Sequence, residues 1–194
     1  MPLIVKVASI QKERMQVYFI DNDEYFKQEN AFDDQGKLYA DNDERCIFFA
    51  KGIIETVKKL NWSPDLIHIQ GWLGALLPLY LRTYYKDEPI FYNTKTITCF
   101  LRSPFEGQLD AALLSKVGFD EITEKEAEEL KEPHSLNLIK IASRYSDAIT
   151  TVKGTLPEEA IDYMQGTGKP FLQGETLEAT CKVYPQFYKE LMHK

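Results

Sequence analysis

The stretch that decides the fold is Trp62-Ser63-Pro64-Asp65-Leu66-Ile67-His68-Ile69-Gln70-Gly71-Trp72. Pro64 and Asp65 break the preceding pattern, and Leu66 to Ile69 is a short apolar run. Gln70–Gly71 turns the chain, and the apolar stretch Leu73 to Tyr84 reads as a helix buried on most sides. A buried strand feeding directly into a buried helix is the opening of a βαβ unit.

Working outward, the same alternation repeats. Before this stretch, Ile47, Ala50, Ile53, Ile54, Val57 and Leu60 recur at helical spacing and predict a helix over Asp43–Leu60. Asp41 and Asp43 stand where an N-cap carboxylate would satisfy free N–H groups. After it, Ile97–Phe100 reads as a strand and a loop carrying Pro104 and Gly107 follows. Thr123-Glu124-Lys125-Glu126 is a capping box that predicts a helix to Lys131. Leu136 to Tyr145 reads as a further helix, Ala148–Val152 as a strand, and Thr155-Leu156-Pro157-Glu158 as the start of the next helix. Val183 to Met192 reads as a terminal helix. At the other end, Leu3–Ile10 and Met15–Ile20 predict a hairpin around Gln11–Arg14, adding a mixed edge to the sheet. The fold class this implies is α/β: a Rossmann-like, mostly parallel sheet with helices on both faces, in one domain over residues 1–194.

Composition limits the function. The chain has 194 residues, 44% hydrophobic and 27% charged, which suits one globular domain. A net charge of −7 without basic runs argues against nucleic acid as a partner. The longest strongly apolar stretch, Trp72 to Leu81, is too short to span a bilayer. Cys46, Cys99 and Cys181 form no CxxC pair, and His134 and His193 stand beside no second metal ligand. No metal, no cofactor and a cytoplasmic location are therefore expected. Gly166-Thr167-Gly168-Lys169 lacks the spacing of a phosphate loop, and Pro170 follows it.

The chemistry concentrates where the first strand of the parallel sheet ends. Ligands of doubly wound sheets bind beyond the carboxyl ends of strands. Two readings of His68 and Trp72 stand: a core histidine with a packing anchor, or a site in which the indole offers a flat face to a sugar ring.

Several motifs in order resemble the bacterial glycogen/starch synthases. They are Val17-Tyr18-Phe19-Ile20-Asp21-Asn22 with Tyr25-Phe26, then Asp41-Asn42-Asp43-Glu44-Arg45, Phe48-Phe49, Trp62-Ser63-Pro64-Asp65 and Pro78-Leu79-Tyr80-Leu81. Ala148–Val152 followed by a Thr-started helix also fits. The resemblance runs from about Leu3 to about Ile161 and is strongest to a short, glycogen-synthase-like type associated with Bacteroidetes. It implies part of the N-terminal half of a GT-B glycosyltransferase, a retaining enzyme that moves glucose from ADP-glucose to an α-1,4-glucan. It also implies a chain that begins after the family's Lys-x-Gly-Gly-Leu loop and lacks the second, nucleotide-sugar-binding domain.

Two departures bear on activity. The family's His-x-His-Asp-Trp becomes His68-Ile69-Gln70-Gly71-Trp72, so Gly71 replaces an aspartate. The histidine expected six residues before Gly107 is Leu101, with Arg102 beside it. Leucine cannot hydrogen-bond a sugar hydroxyl. The substrate-binding candidates are Gln70, Trp72, Arg102, Asp21 and Tyr25, with no catalytic residue among them. Two functions stay open: an acceptor-side transferase domain, inactive as this isolated chain, or a non-catalytic module that binds glucan or a protein. α-Glucan is the expected ligand, ADP-glucose is not expected to bind without a second domain, and an uncovered sheet edge or apolar helix face would favour a homodimer.

Overall fold

The computed structural model describes residues 2–27, 30–102 and 105–193. Among these residues, six strands and six α-helices run in the order β1 (Ile4–Ile10), β2 (Met15–Asp21), α1 (Asn42–Lys59), β3 (Leu66–Gln70), α2 (Leu77–Arg82), β4 (Lys95–Phe100), α3 (Leu113–Gly118), α4 (Ser135–Tyr145), β5 (Ala148–Val152), α5 (Glu158–Gly166), β6 (Phe171–Gly174) and α6 (Leu177–Met192). The last four strands form a parallel sheet in the order β3-β4-β5-β6.

That order dictates the layers. Each strand lies beside its successor, and right-handed crossovers then carry every connecting helix to the same face. The core confirms it: Ile69, Phe100 and Ile149 pack with Ile54 of α1, Leu79 of α2, Leu138 and Ile141 of α4, and Met164 of α5 in one cluster. A parallel sheet needs both faces covered. The second face receives α6, which crosses it from the end of β6 to the start of β3. Thr180 lies on Gly174, Tyr184 reaches Cys99 and Thr150, Tyr188 meets His68, and Leu191 joins Ile97 and Ala148.

The hairpin departs from expectation. β1 and β2 pair antiparallel as a separate two-stranded sheet and do not extend the parallel one. They lie on the outer side of α1, where a Cβ at Gly52 would stand 3.1 Å from Ile20 and 3.2 Å from Leu3. Helix α1 is thus held between the hairpin and the rest of the core.

Other boundaries moved for local reasons. The Leu73–Tyr84 helix divides into a 3-10 turn at Trp72–Gly74 and α2, which restarts at Leu77 with Pro78, a residue without an N–H to donate, in its first turn. The Thr123–Glu126 capping box forms, with Glu126 N donating to Thr123 Oγ1 and Thr123 N to the Glu126 carboxylate. Only a 3-10 turn follows, at Glu128–Lys131. Arg144 and the Tyr145 hydroxyl take the Lys125 and Glu126 carbonyls that an α-helix would use. Thr155 does not cap α5; its hydroxyl donates to Val152 O at 2.6 Å, and Pro157 holds the N-cap position. Helix α6 begins six residues earlier than Val183, because Thr176 accepts from Ala179 N and caps it, and Pro185 is carried inside the helix. Helix α3 and strand β6 were not foreseen. Asp41 holds the N-cap position of α1, but its carboxylate accepts from Arg45 Nε at 3.0 Å instead of capping. Pro104 lies outside the described residues.

Lys169 explains the glycine-rich segment without a phosphate. Its ammonium donates to the carbonyls of Ser143, Arg144 and Ser146, closing the C-terminus of α4. Among the described residues no helix is long and apolar enough to cross a membrane, and no group of three or more His, Cys, Asp or Glu could hold a metal ion.

Candidate functional site

Strands β3 and β4 end side by side, with Gln70 opposite Cys99 in the ladder. The chain leaves β3 through Gly71, whose N–H donates to Cys99 O at 3.0 Å. Gly71 has φ 84° and ψ 169°, a region open essentially to glycine alone. A side chain there would meet open space, so the constraint is the backbone itself. This conformation turns Trp72 back over the strand ends.

A cleft of about 330 Å³ results, lined by Phe32, Gln70, Gly71, Trp72, Phe100, Leu101 and Arg102. Trp72 is half-buried and braced edge-to-face by Phe105, at 5.0 Å between ring centroids, and by Phe32, at 6.5 Å. It therefore serves as a packing anchor and as a wall of the cleft together. Gln70 and Arg102 are exposed beside it. The arrangement offers an apolar wall, an amide that both donates and accepts, and a guanidinium with fixed donors.

Three of the five sequence candidates, Gln70, Trp72 and Arg102, meet in this cleft; Asp21 and Tyr25 do not. Asp21 closes β2 and pairs with Lys6 at 2.5 Å, which holds its carboxyl below the usual range. Tyr25 lines a different cavity, of about 530 Å³, over the outer face of α1. Its hydroxyl donates to Glu44 at 2.7 Å, and burial, helped by that carboxylate, pushes it up to about 12. Lys116 joins the same group, at 2.6 Å from Asp43 and 2.7 Å from Glu44. Burial works against the Lys116 charge, but the two carboxylates outweigh it and raise its pKa. Lys116 and Tyr25 hold the Glu44 carboxyl below its ordinary range.

His68 falls on the α6 side of β3, away from the cleft. Its Nδ1 pairs with the Tyr188 hydroxyl, and its ring meets Tyr184 edge-on at 4.9 Å. Nε2 is buried without a partner among the described residues, and burial lowers the histidine pKa. Here the core-histidine reading holds. Phe32 and Phe100 are cleft walls that sequence reasoning missed. Phe100 looked like strand filling, and Phe32 sits in an irregular connection with no periodicity to place it.

The family model described as starch synthase catalytic domain matches residues 1–174. The chain belongs to this family. Among curated glycogen synthases, that of Chlorobium phaeovibrioides is 33% identical over 160 residues, covering 81% of this chain and 32% of the relative. That of Chlorobium luteolum is 31% identical over 172 residues, covering 86% and 34%. The chain thus spans about a third of the length of the curated relatives it matches. Among solved structures, the catalytic domain of starch synthase IV from Arabidopsis thaliana, bound to ADP and acarbose, superposes with a TM-score of 0.63 at 17% identity, covering 89% of this chain and 36% of that one. The fold is that of a starch synthase catalytic domain, a GT-B glycosyltransferase, over the part this chain supplies. Helix α6, the cover of the second sheet face, lies beyond the residues the family model matches.

Proposed function

We propose that the cleft at the carboxyl ends of β3 and β4 binds an α-1,4-glucan, and that the chain is the acceptor-side part of a synthase-type glucosyltransferase whose donor is ADP-glucose. The observation that carries this is the convergence of Gln70, Trp72 and Arg102 on one cleft in a member of the starch synthase catalytic domain family. A pyranose ring stacks its C–H face on an indole and turns its hydroxyls outward, where Gln70 and Arg102 can reach them.

By itself this chain binds glucan and does not transfer glucose. A leaving ADP develops charge on its diphosphate, which must be met by preorganised cations or N–H groups. Arg102 is the one cation lining the cleft among the described residues, and it is exposed. Leu101 stands where the family places a histidine and offers no hydrogen bond.

The test is to incubate the chain with glycogen and with ADP-glucose separately and together. Retention on glycogen without glucose incorporation is expected, and Trp72→Ala should weaken the retention. Robust incorporation by the purified chain would overturn the inactivity, and unchanged retention in Trp72→Ala would remove the site.

A further inference from the structure

We propose that a second glucan-binding site lies at the turn end of the hairpin, with Trp62 as its platform and Arg14 and Gln16 as its hydrogen-bond donors. The identity of the ligand rests on the glucan reading above; the residues are all different.

A cleft of about 470 Å³ opens between the hairpin and the end of α1, lined by Arg14, Gln16, Tyr18, Leu60 and Trp62. Local structure fixes each wall. After α1, Asn61 takes the left-handed conformation, at φ 49°. Asn61 N donates to Lys58 O at 2.9 Å and Trp62 N to Val57 O at 3.3 Å. This is a Schellman closure, and the residue in the place of Trp62 ordinarily packs back on the helix. Trp62 instead stays 55% exposed, and its ring has no aromatic or cationic partner among the described residues. The backbone is fixed while the indole face is free.

The opposite wall comes from β2. Gln16 and Tyr18, two residues apart, point to the same side of the strand. The Tyr18 hydroxyl donates to Gln16 Oε1, which leaves both Gln16 N–H donors available. Arg14, left-handed at φ 51° in the turn, has no partner for its guanidinium among the described residues. Aromatic faces ringed by unspent planar donors suit a chain of pyranose rings. An anionic ligand is disfavoured, because among the described residues Arg14 is the single cation lining this cleft, on a protein of net charge −7.

The two sites are separable. Trp62 precedes β3 and Trp72 follows it, so the five-residue strand sets about 16 Å of backbone between them. These are the two tryptophans of the chain. Trp72→Phe leaves Trp62 as the sole indole and reporter.

Maltoheptaose titrated into Trp72→Phe should shift the Trp62 emission saturably, with half-saturation on the order of millimolar, as expected of a shallow site. Arg14→Ala and Gln16→Ala, both at exposed positions, should each raise that midpoint at least about threefold without moving the melting temperature. An emission flat to about 20 mM sugar, well above a millimolar affinity, would overturn the proposal. So would an equal response to sorbitol, or a midpoint unmoved in both variants. Flat Trp62 emission with retention lost in Trp72→Ala defeats this site alone. A saturable Trp62 signal with retention unchanged in Trp72→Ala defeats the strand-end site and leaves this one standing.

Discussion

Gly174→Ala should destabilise the protein, although the same change in a free strand would stabilise it. Gly174 sits in β6 under α6, and a Cβ there would lie 1.8 Å from Thr180 Oγ1, 2.8 Å from Thr180 Cβ and 3.2 Å from Thr180 Cα. The hydroxyl could rotate away, but Cβ and Cα belong to the helix itself. Relieving the contact means lifting α6 from the second face of the sheet. Replacing glycine by alanine in a regular element gains roughly 0.5–1 kcal/mol of backbone entropy. Overpacking a buried contact costs about 1–3 kcal/mol. The second term wins, leaving a net loss of about 1–2 kcal/mol, or about 2–8 °C in melting temperature for a chain of this size. Thermal unfolding followed by circular dichroism reads it. Thr180→Ala should cost stability in the wild type, where Oγ1 donates to Thr176 O at 2.6 Å, and cost nothing in the Gly174→Ala background. A melting temperature that rises in Gly174→Ala would refute the placement of α6 on this face.

Three further outcomes follow from the same packing. His68 is half-buried with its Nε2 fully so, burial lowers its pKa from 6.5, and Tyr184 and Tyr188 of α6 face its ring with no carboxylate against it among the described residues. The unfolded chain therefore takes up the proton first, so stability should fall as pH drops below 6.5, and His68→Gln should flatten that slope in melts from pH 5 to 8. Lys116→Met should cost about 3 kcal/mol in urea unfolding, because the Asp43 side chain is fully buried and would lose its ion pair, and Asp43→Asn in the same chain should restore part of it. Lys169→Met should cost about 2 kcal/mol by removing a charged donor from three carbonyls at the end of α4, and ATP should not protect the wild type against melting.

The parallel sheet was legible because its strands are apolar runs bounded by breakers: Leu66–Ile69, Ile97–Phe100 and Ala148–Val152 need no neighbour to be recognised. Strand β6 was not, since Phe171-Leu172 is a run of two after Pro170, and its strand character comes from the ladder with Ile149 and Thr150. Helix α3 has six residues and shows its apolar side only as Leu113, Leu114 and Val117, too few to display a period. Pro185 hid the first half of α6, because a proline there reads as a boundary although Thr176 caps the helix nine residues earlier. Of the site, Gln70 and Trp72 were readable from the end of an apolar strand, and Arg102 from its position beside Leu101. Phe32 reaches the cleft across a connection that sequence spacing cannot fold, and Tyr25 looked like part of the same site because motif order carries no geometry.

The most direct test of the glucan-binding cleft compares the wild type with Gln70→Ala/Arg102→Ala in native gels containing graded glycogen. Both residues are exposed and line the cleft, so their removal leaves the fold in place. One neutral and one charged hydrogen bond together are worth about 2 kcal/mol, which is about a thirtyfold loss of affinity at that site. The account predicts a wild type slowed by glycogen and a double variant slowed less, keeping only the retardation that the Trp62 site supplies; equal retardation of the two proteins would contradict it.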